Sequence, residues 1–464
     1  MRQVSPILFI LGLTALLAAA GVSRAQSHKP GAPSESPARN LPNSAVIFTA
    51  APVYDSLAAL HGGERFPQGA QLMMLRAGRA EALVPRLADS ADASVSFDGE
   101  TILFAGKQHP GDPWQIWSVS ADGGTPQRVV TAETDLIRPL WMPAGRLVYA
   151  RRTPNGFALE TAALDGSAVQ KLTFLKGNFI PDDVLSDGRV LFETGFPLGS
   201  GATPEMFLVY ADGSGVESVR CDHGAAREHG KQMLSGDIVF THGAKLARFT
   251  SALAEEAPIL APAGEFAGDV AETSDGHWLL AIRRPGTSHF ELTAWQPGAP
   301  ASKTLAHDDE RDLVQPVVVA PRAVPKRHPS GLHDWKTGNL LALDARLTRS
   351  GPLDAAPQSV RVETIGQNGR TVVLGVAPVA SDGSFFVQAN GDEPLRFVLL
   401  DARGNKIRAE NGWFWVRRGE QRICVGCHTG PERAPDNRVP QILLRSTTPA
   451  DMTGAATALV AGGH

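Results

Sequence analysis

Five short turns recur along this chain, and their spacing limits its fold more than any other feature. They occur in "SFDGETILFAG", "MPAGRLVYA", "LSDGRVLFET", "LSGDIVFTH" and "TSDGHWLLAI", with turn glycines Gly99, Gly145, Gly188, Gly236 and Gly276 lying 46, 43, 48 and 40 residues apart. An Asp-Gly or Ala-Gly pair lets the backbone take the positive φ that a tight hairpin needs, and the apolar run after each pair has strand character. Second-hairpin turns recur around Gly123, Gly166 and Gly213. Units of 40 to 50 residues with about four short strands each are the signature of a β-propeller blade. A sixth unit comes from "AVIFTAAP" with "AQLMMLRAG", and "LVQPVVVAP", Leu313 to Pro321, closes the ring on the first. The expected fold is therefore all-β, a six-bladed propeller over residues 43–322, with seven blades as the alternative count and an array of β-sandwiches as the competing architecture. Composition agrees: 47 glycines and 34 prolines in 464 residues imply frequent turns rather than long helices.

After a linker at 323–336, the segments "SVRVETI", "RTVVLGVAPVASDGSFFVQA" and "LRFVLLDARGNKI" alternate apolar and polar residues between hairpin turns. They predict a small antiparallel β-sandwich over 337–415, followed by a haem-binding segment and tail over 416–464. At the other end, Arg2, an apolar run to about Val22 and "SRA" before Gln26 predict a secretory signal peptide at 1–25, cleaved near Ala25. An uncleaved membrane anchor is the competing reading, and residues 26–42 form a polar, Pro-rich leader. No second long apolar stretch appears, so no membrane span is expected after cleavage. A formal charge of −4 offers no basic footprint for nucleic acid.

"RRGEQRICVGCHTGPERAP", residues 417–435, carries Cys424, Cys427 and His428 in the spacing Cys-x-x-Cys-His. A thioredoxin-like dithiol needs a βαβ setting, and structural zinc needs further paired ligands; the all-β context and the absence of a second Cys/His pair favour neither. Covalent haem c remains, with both thiols attached and His428 as proximal iron ligand. It requires export, which the N-terminus supplies. Trp413, Phe414 and Trp415 are candidate apolar walls, and Arg417, Arg418, Arg422 and Arg433 candidate partners for haem propionates. For the sixth iron position the candidates are Met452 and His229. Cys221, next to Asp222 and His223, is a candidate ligand of a second metal, with zinc the possible ion. No catalytic constellation stands out; "HDDERD" at 307–312 reads as a solvated loop.

The repeats resemble the blades of TolB-type propellers. The order propeller, small sandwich, "WFWVRRGEQRICVGCHTGPERAP" resembles the hydrazine synthase alpha-subunit family, chiefly through "SDGSFFV", "LRFVLLDARG" and "VRRGEQRICVGCH". That resemblance implies a haem on the Cys-x-x-Cys-His motif, a tyrosine four residues past the motif histidine reaching the iron, and a zinc shared between that histidine and a propeller cysteine. Here Glu432 occupies the tyrosine position, and Tyr54, Tyr149 and Tyr210 all lie in the repeats. Direct ligation of iron by His428 is therefore expected, and hydrazine synthesis is not. The expected function is a periplasmic monohaem c-type electron carrier that docks a redox partner protein through its propeller and is loaded by the cytochrome c maturation machinery. The alternative is a haem enzyme or sensor with an open iron position, acting on a small nitrogen or oxygen species.

Overall fold

The computed structural model describes residues 45–454, except Gln68, 196–202, 221–225, Leu253, 349–350, Gln367, Asn411 and 427–437. The expected signal peptide and leader, Cys221, Cys427 and His428 lie outside the described residues. Among those described, no helix is long and apolar enough to cross a membrane.

Six sheets follow one another along the chain from Ala45 to Val319, five of them four-stranded and the last five-stranded. The first is completed by the chain's return: Asp312–Val319 pairs antiparallel with Ala45–Ala51, in the register Val46 to Val318. Both ends of the ring are thus held in one sheet by backbone hydrogen bonds.

The strand Thr101–Lys107 shows why these sheets stack. Its side chains are buried on both faces rather than one. Because neighbouring residues point to opposite faces, Ile102 and Phe104 pack against Ile47 and Leu72 of the sheet before, while Leu103 packs against Trp141 and Leu147 of the sheet after. The same division recurs around the ring. Leu191 and Met206 meet Phe240 and Phe249, Val239 meets Trp278 and Trp295, and Leu279 returns to Val46 and Phe48. No sheet buries its apolar faces alone; each depends on two neighbours. The molecule is a β-propeller.

The Asp98-Gly99 turn takes the form the sequence demands. Gly99 has φ +80°, and a Cβ there would lie 2.9 Å from the backbone of Ala320 and Pro321. The Asp98 carboxylate accepts from the Glu100 amide at 3.0 Å and from the Ser96 hydroxyl.

Two further sheets follow. One has the order Gln421–Gly426, Thr337–Asp344, Phe385–Asn390, Ala450–Asp451; the other Thr371–Pro378, Ser359–Ile365, Arg396–Leu400, Lys406–Ala409. They enclose one apolar core with Leu340, Val360, Phe385, Val387 and Phe397. The strands of these two sheets continue past Trp415. Gln421–Gly426 and Ala450–Asp451 enter the first sheet as parallel edge strands, so this sheet is mixed, and the segment carrying Cys424 is part of it. Parallel pairing here joins Leu340 to Arg422 and Val387 to Ala450, far apart in the chain, through connections that local turn signals do not report.

Candidate functional site

Cys424 pairs with Ala342 in the edge strand Gln421–Gly426 and is half-buried. The approach to that strand is tightly built. Gly419 has φ +76°, and a Cβ on it would sit 1.8 Å from the His333 carbonyl oxygen. Glu420 accepts from the Arg417 amide at 2.6 Å, from the Gly215 amide at 3.1 Å and from Arg422 Nε at 2.9 Å. This carboxylate therefore joins the strand to the propeller turn at 212–215. Trp415, 1% exposed, enters the propeller's main apolar cluster and donates from Nε1 to the Gly213 carbonyl at 2.9 Å.

Cys424 lines a cavity of about 770 Å³ between the small β-domain and the propeller. Trp413 and Phe414 line it from the Cys424 side, and Phe207, Tyr210 and Phe249 from the propeller side. Arg189, Arg220 and Arg422 line it as well. Arg189 is paired with Asp187 and Glu217, and Arg220 with Glu255. Arg422 pairs with Glu420 through Nε, while its Nη2 is buried with no hydrogen-bond partner. Burial pushes the Cys424 thiol up from its ordinary value, with the Arg422 charge opposing, so the site favours a neutral thiol over a thiolate.

The residues present fit a haem on the Cys424 side. The volume lies within the usual range for cofactor pockets, the walls are aromatic, and Arg422 offers an unpaired N–H to a carboxylate. Of the other expected propionate partners, Arg417 and Arg418 bind Asp392, and Arg417 also donates to the Asp212 carbonyl. Arg417 thus ties the small domain to the propeller and Arg418 pairs within the small domain, and neither lines the cavity. Arg433 lies outside the described residues.

Both expected sixth ligands are placed elsewhere. Met452 is 3% exposed in the core of the small β-domain, with its sulfur where a Cβ on Gly375 would be, 2.5 Å away. Its backbone is the reason: the Met452 amide donates to the Gln388 carbonyl at 2.8 Å next to a parallel edge strand, which turns the side chain into the core. His229 is 2% exposed on the propeller's inner strands.

Those inner strands carry a second constellation that the sequence reading missed. The first strands of successive sheets lie against one another around the ring, and five of them are bulged at a polar residue. The bulges hold Asp92, Arg138, Asp182, His229 and Gln315; Asp269 takes the same place between two short strands of the sixth sheet. All but Asp182 have φ between +49° and +60°, a region that non-glycine residues rarely occupy and that a bulge uses to re-aim a side chain. All are at least 95% buried. Arg138 donates to both oxygens of Asp269 at 2.9 and 2.8 Å and to Asp182 at 3.3 Å. Arg65 binds both oxygens of Asp92 at 2.6 Å, and Gln315 donates to Asp92 at 2.7 Å. Burial raises Asp182 well above the usual carboxylate range, with Glu193 adding to it, and takes Glu193 up to about 7. Burial acts in the same direction on Asp269, but Arg138 overrides it and holds that carboxyl low. A signal for the set exists in the sequence: Asp92, Arg138, His229 and Asp269 each stand seven residues before a turn glycine, and Asp182 six before.

A closed ring of antiparallel sheets carrying a two-sheet β-domain, with a cavity between them that Cys424 lines, defines a propeller protein with an appended small β-domain. Residues 344–429 match the hydrazine synthase alpha subunit middle domain family. Its fold is similar to hydrazine synthase from Kuenenia stuttgartiensis, with a TM-score of 0.74, 16% identity, and coverage of 87% of this chain and 72% of that one. More distant likenesses include a nidogen/laminin complex (TM-score 0.43, 10% identity, 60% of this chain and 100% of that chain). TolB from Acinetobacter baumannii is another (0.42, 13% identity, 60% and 67%). No curated protein sequence matches the chain.

Proposed function

We propose that this is an exported monohaem c-type protein whose haem is attached through Cys424 and Cys427, with His428 as proximal iron ligand. The observation that carries the reading is the position of Cys424 on an edge strand lining an aromatic cavity of about 770 Å³, with a buried, unpaired Arg422 N–H beside it. When bound, a haem supplies a one-electron couple. This chain's residues would hold it, exclude water through Trp413, Phe414 and Phe249, and balance a propionate through Arg422. In this reading the six successive sheets are six blades, the two following sheets a sandwich, and the Cys424 segment a haem clamp built on that sandwich. The signal peptide at 1–25 directs export and is removed near Ala25. The maturation machinery for c-type cytochromes loads the haem, and the propeller docks a periplasmic redox partner.

A second reading, a haem enzyme or sensor with an open iron position, is favoured by one observation. Met452 and His229 are both committed elsewhere, one to a core and one to the propeller's inner strands.

The test is an absorption spectrum of the protein exported together with a cytochrome c maturation system. Haem that survives denaturation, and is lost in Cys424→Ala, supports the proposal; a protein without bound haem overturns it. A low-spin iron then indicates the electron carrier, and a high-spin iron the open site.

A further inference from the structure

We infer that the propeller binds one divalent transition-metal ion among its inner strands, held by Asp182, Glu193 and His229. Asp182 and Glu193 belong to the fourth sheet, on Asn178–Val184 and Val190–Gly195, and His229 to the fifth, on Glu228–Gln232. One ligand atom from each lies within 4.8 Å of the other two. His229 Nδ1 is 3.9 Å from Glu193 Oε1. This inference is independent of the haem.

Three carboxylate or imidazole groups in proximity are not by themselves a site, but the imidazole supplies a separate observation. Both ring nitrogens of His229 are buried, and neither has a hydrogen-bond partner. A neutral imidazole carries one donor and one acceptor, and leaving either unpaired in an interior costs about 1–3 kcal/mol. The ring is also fixed in place. A Cβ on Gly268 would lie 2.3 Å from His229 Cδ2, so the glycine packs on its face. The His229 backbone has φ +56°, and its amide donates to Glu193 Oε2 at 3.0 Å. A strained backbone, held by the very carboxylate the ring approaches, is what a preorganised ligand set requires.

Charge points the same way. The buried cluster holds the carboxylates of Asp92, Asp182, Glu193 and Asp269 against the guanidinium groups of Arg65 and Arg138. Arg65 is committed to Asp92 and Arg138 chiefly to Asp269. Lys231 donates to the Asp182 carbonyl and faces Asp183, outside the carboxylate set. The carboxyl groups of Asp182 and Glu193 remain without a bidentate guanidinium partner, Arg138 reaching Asp182 only at 3.3 Å. Buried carboxylates are paired, protonated or bound to metal, and a dication balances this pair. One imidazole with two carboxylates is a donor set for zinc or manganese and less suited to calcium or magnesium. Atoms bonded at about 2.1 Å to one ion stand at most about 4.2 Å apart, so binding draws the set in by roughly 0.6 Å. The ion would then fasten the fourth sheet to the fifth.

The full chain, haem-loaded where haem is present, is purified without chelator and its zinc, manganese and iron measured by elemental analysis. It is then stripped with a chelator and titrated with Zn²⁺ or Mn²⁺ by calorimetry. The expected result is about one equivalent of zinc or manganese in the wild type, with affinity lowered by at least ~100-fold in Glu193→Gln and His229→Asn. Asparagine is used at 229 because it tolerates the left-handed backbone. Glu193→Gln is nearly isosteric and decides the matter if the other variant fails to fold. Cys221→Ser and Cys424→Ala are expected to retain the ion. The inference is overturned if stripped wild-type protein takes up neither metal, if Glu193→Gln binds as well as wild type, or if the ion is lost in Cys221→Ser alone.

Discussion

Replacing Trp415 tests how the small β-domain is held to the propeller. Its indole is 1% exposed, lies edge-on to Phe174 with ring centroids 6.0 Å apart, and donates to the Gly213 carbonyl at 2.9 Å. A buried tryptophan removes some 150–250 Å² from water, which at about 25 cal/mol per Å² gives roughly 4–6 kcal/mol as an upper bound. Measured truncations of such residues to alanine cost about 3–5 kcal/mol. Trp415→Ala is therefore expected to lower stability by about that amount. Trp415→Phe keeps most of the apolar contact but strands the Gly213 carbonyl, and should cost about 1–3 kcal/mol. Trp335→Ala serves as the control: Trp335 is 51% exposed and should change stability by less than about 0.5 kcal/mol. The assay is urea unfolding followed by far-ultraviolet circular dichroism and tryptophan fluorescence. Because Trp415, Arg417 and Glu420 all attach to the turn at 212–215, Trp415→Ala should also separate one transition into two, the small domain unfolding first. A loss below about 1 kcal/mol with a single transition would refute the reasoning, since it would mean that the indole does not anchor the domain.

Three further outcomes are expected. Arg138→Met leaves Asp269 buried without its two hydrogen bonds and should destabilise the propeller by about 3–5 kcal/mol, measured by urea unfolding. Gly419→Ala forces a methyl group toward the His333 carbonyl at a positive φ; a loss on the order of 2 kcal/mol or more and a lower yield of haem-loaded protein should follow. Asp382 is buried and accepts from the Ser384 amide and hydroxyl and from the Gln441 amide at 3.0, 2.6 and 2.8 Å. Burial works to raise its pKa, but these hydrogen bonds outweigh it and hold the carboxyl below its usual 3.8. Its contribution is therefore present above about pH 3.8 and lost as pH falls through the folded-state value. In Asp382→Asn the small domain should be about 1–3 kcal/mol less stable at neutral pH, and less of its stability should be lost on acidification, as read by unfolding at pH 3 and pH 6.

How much of this could be read from residues alone depended on range. Turn chemistry is local: Gly99, Gly145, Gly188, Gly236 and Gly276 all take positive φ, and each turn falls where its dipeptide lies. Strand character is local too, so the all-β fold, the repeat and the return of Leu313–Pro321 to the first unit followed from spacing. The motif around Cys424 was equally legible, because its signal is three residues within five positions. The place of Met452 in the core of the small β-domain was not legible, because a methionine's distance along the chain says nothing about which face of an edge strand it occupies.

Sequence by itself determined which segments turn and extend, that similar units recur, and where chemistry-bearing cysteines stand. Only the tertiary structure decided that Cys424 lies in a parallel edge strand beside Ala342, facing a cavity built partly from the propeller. It alone brought Asp182, Glu193 and His229 together with Arg138 and Asp269, which the chain carries on four repeats. The physical reason is that a bulge at one position in each repeat turns a single polar side chain inward. Ring closure then juxtaposes groups that the sequence keeps some 40 residues apart.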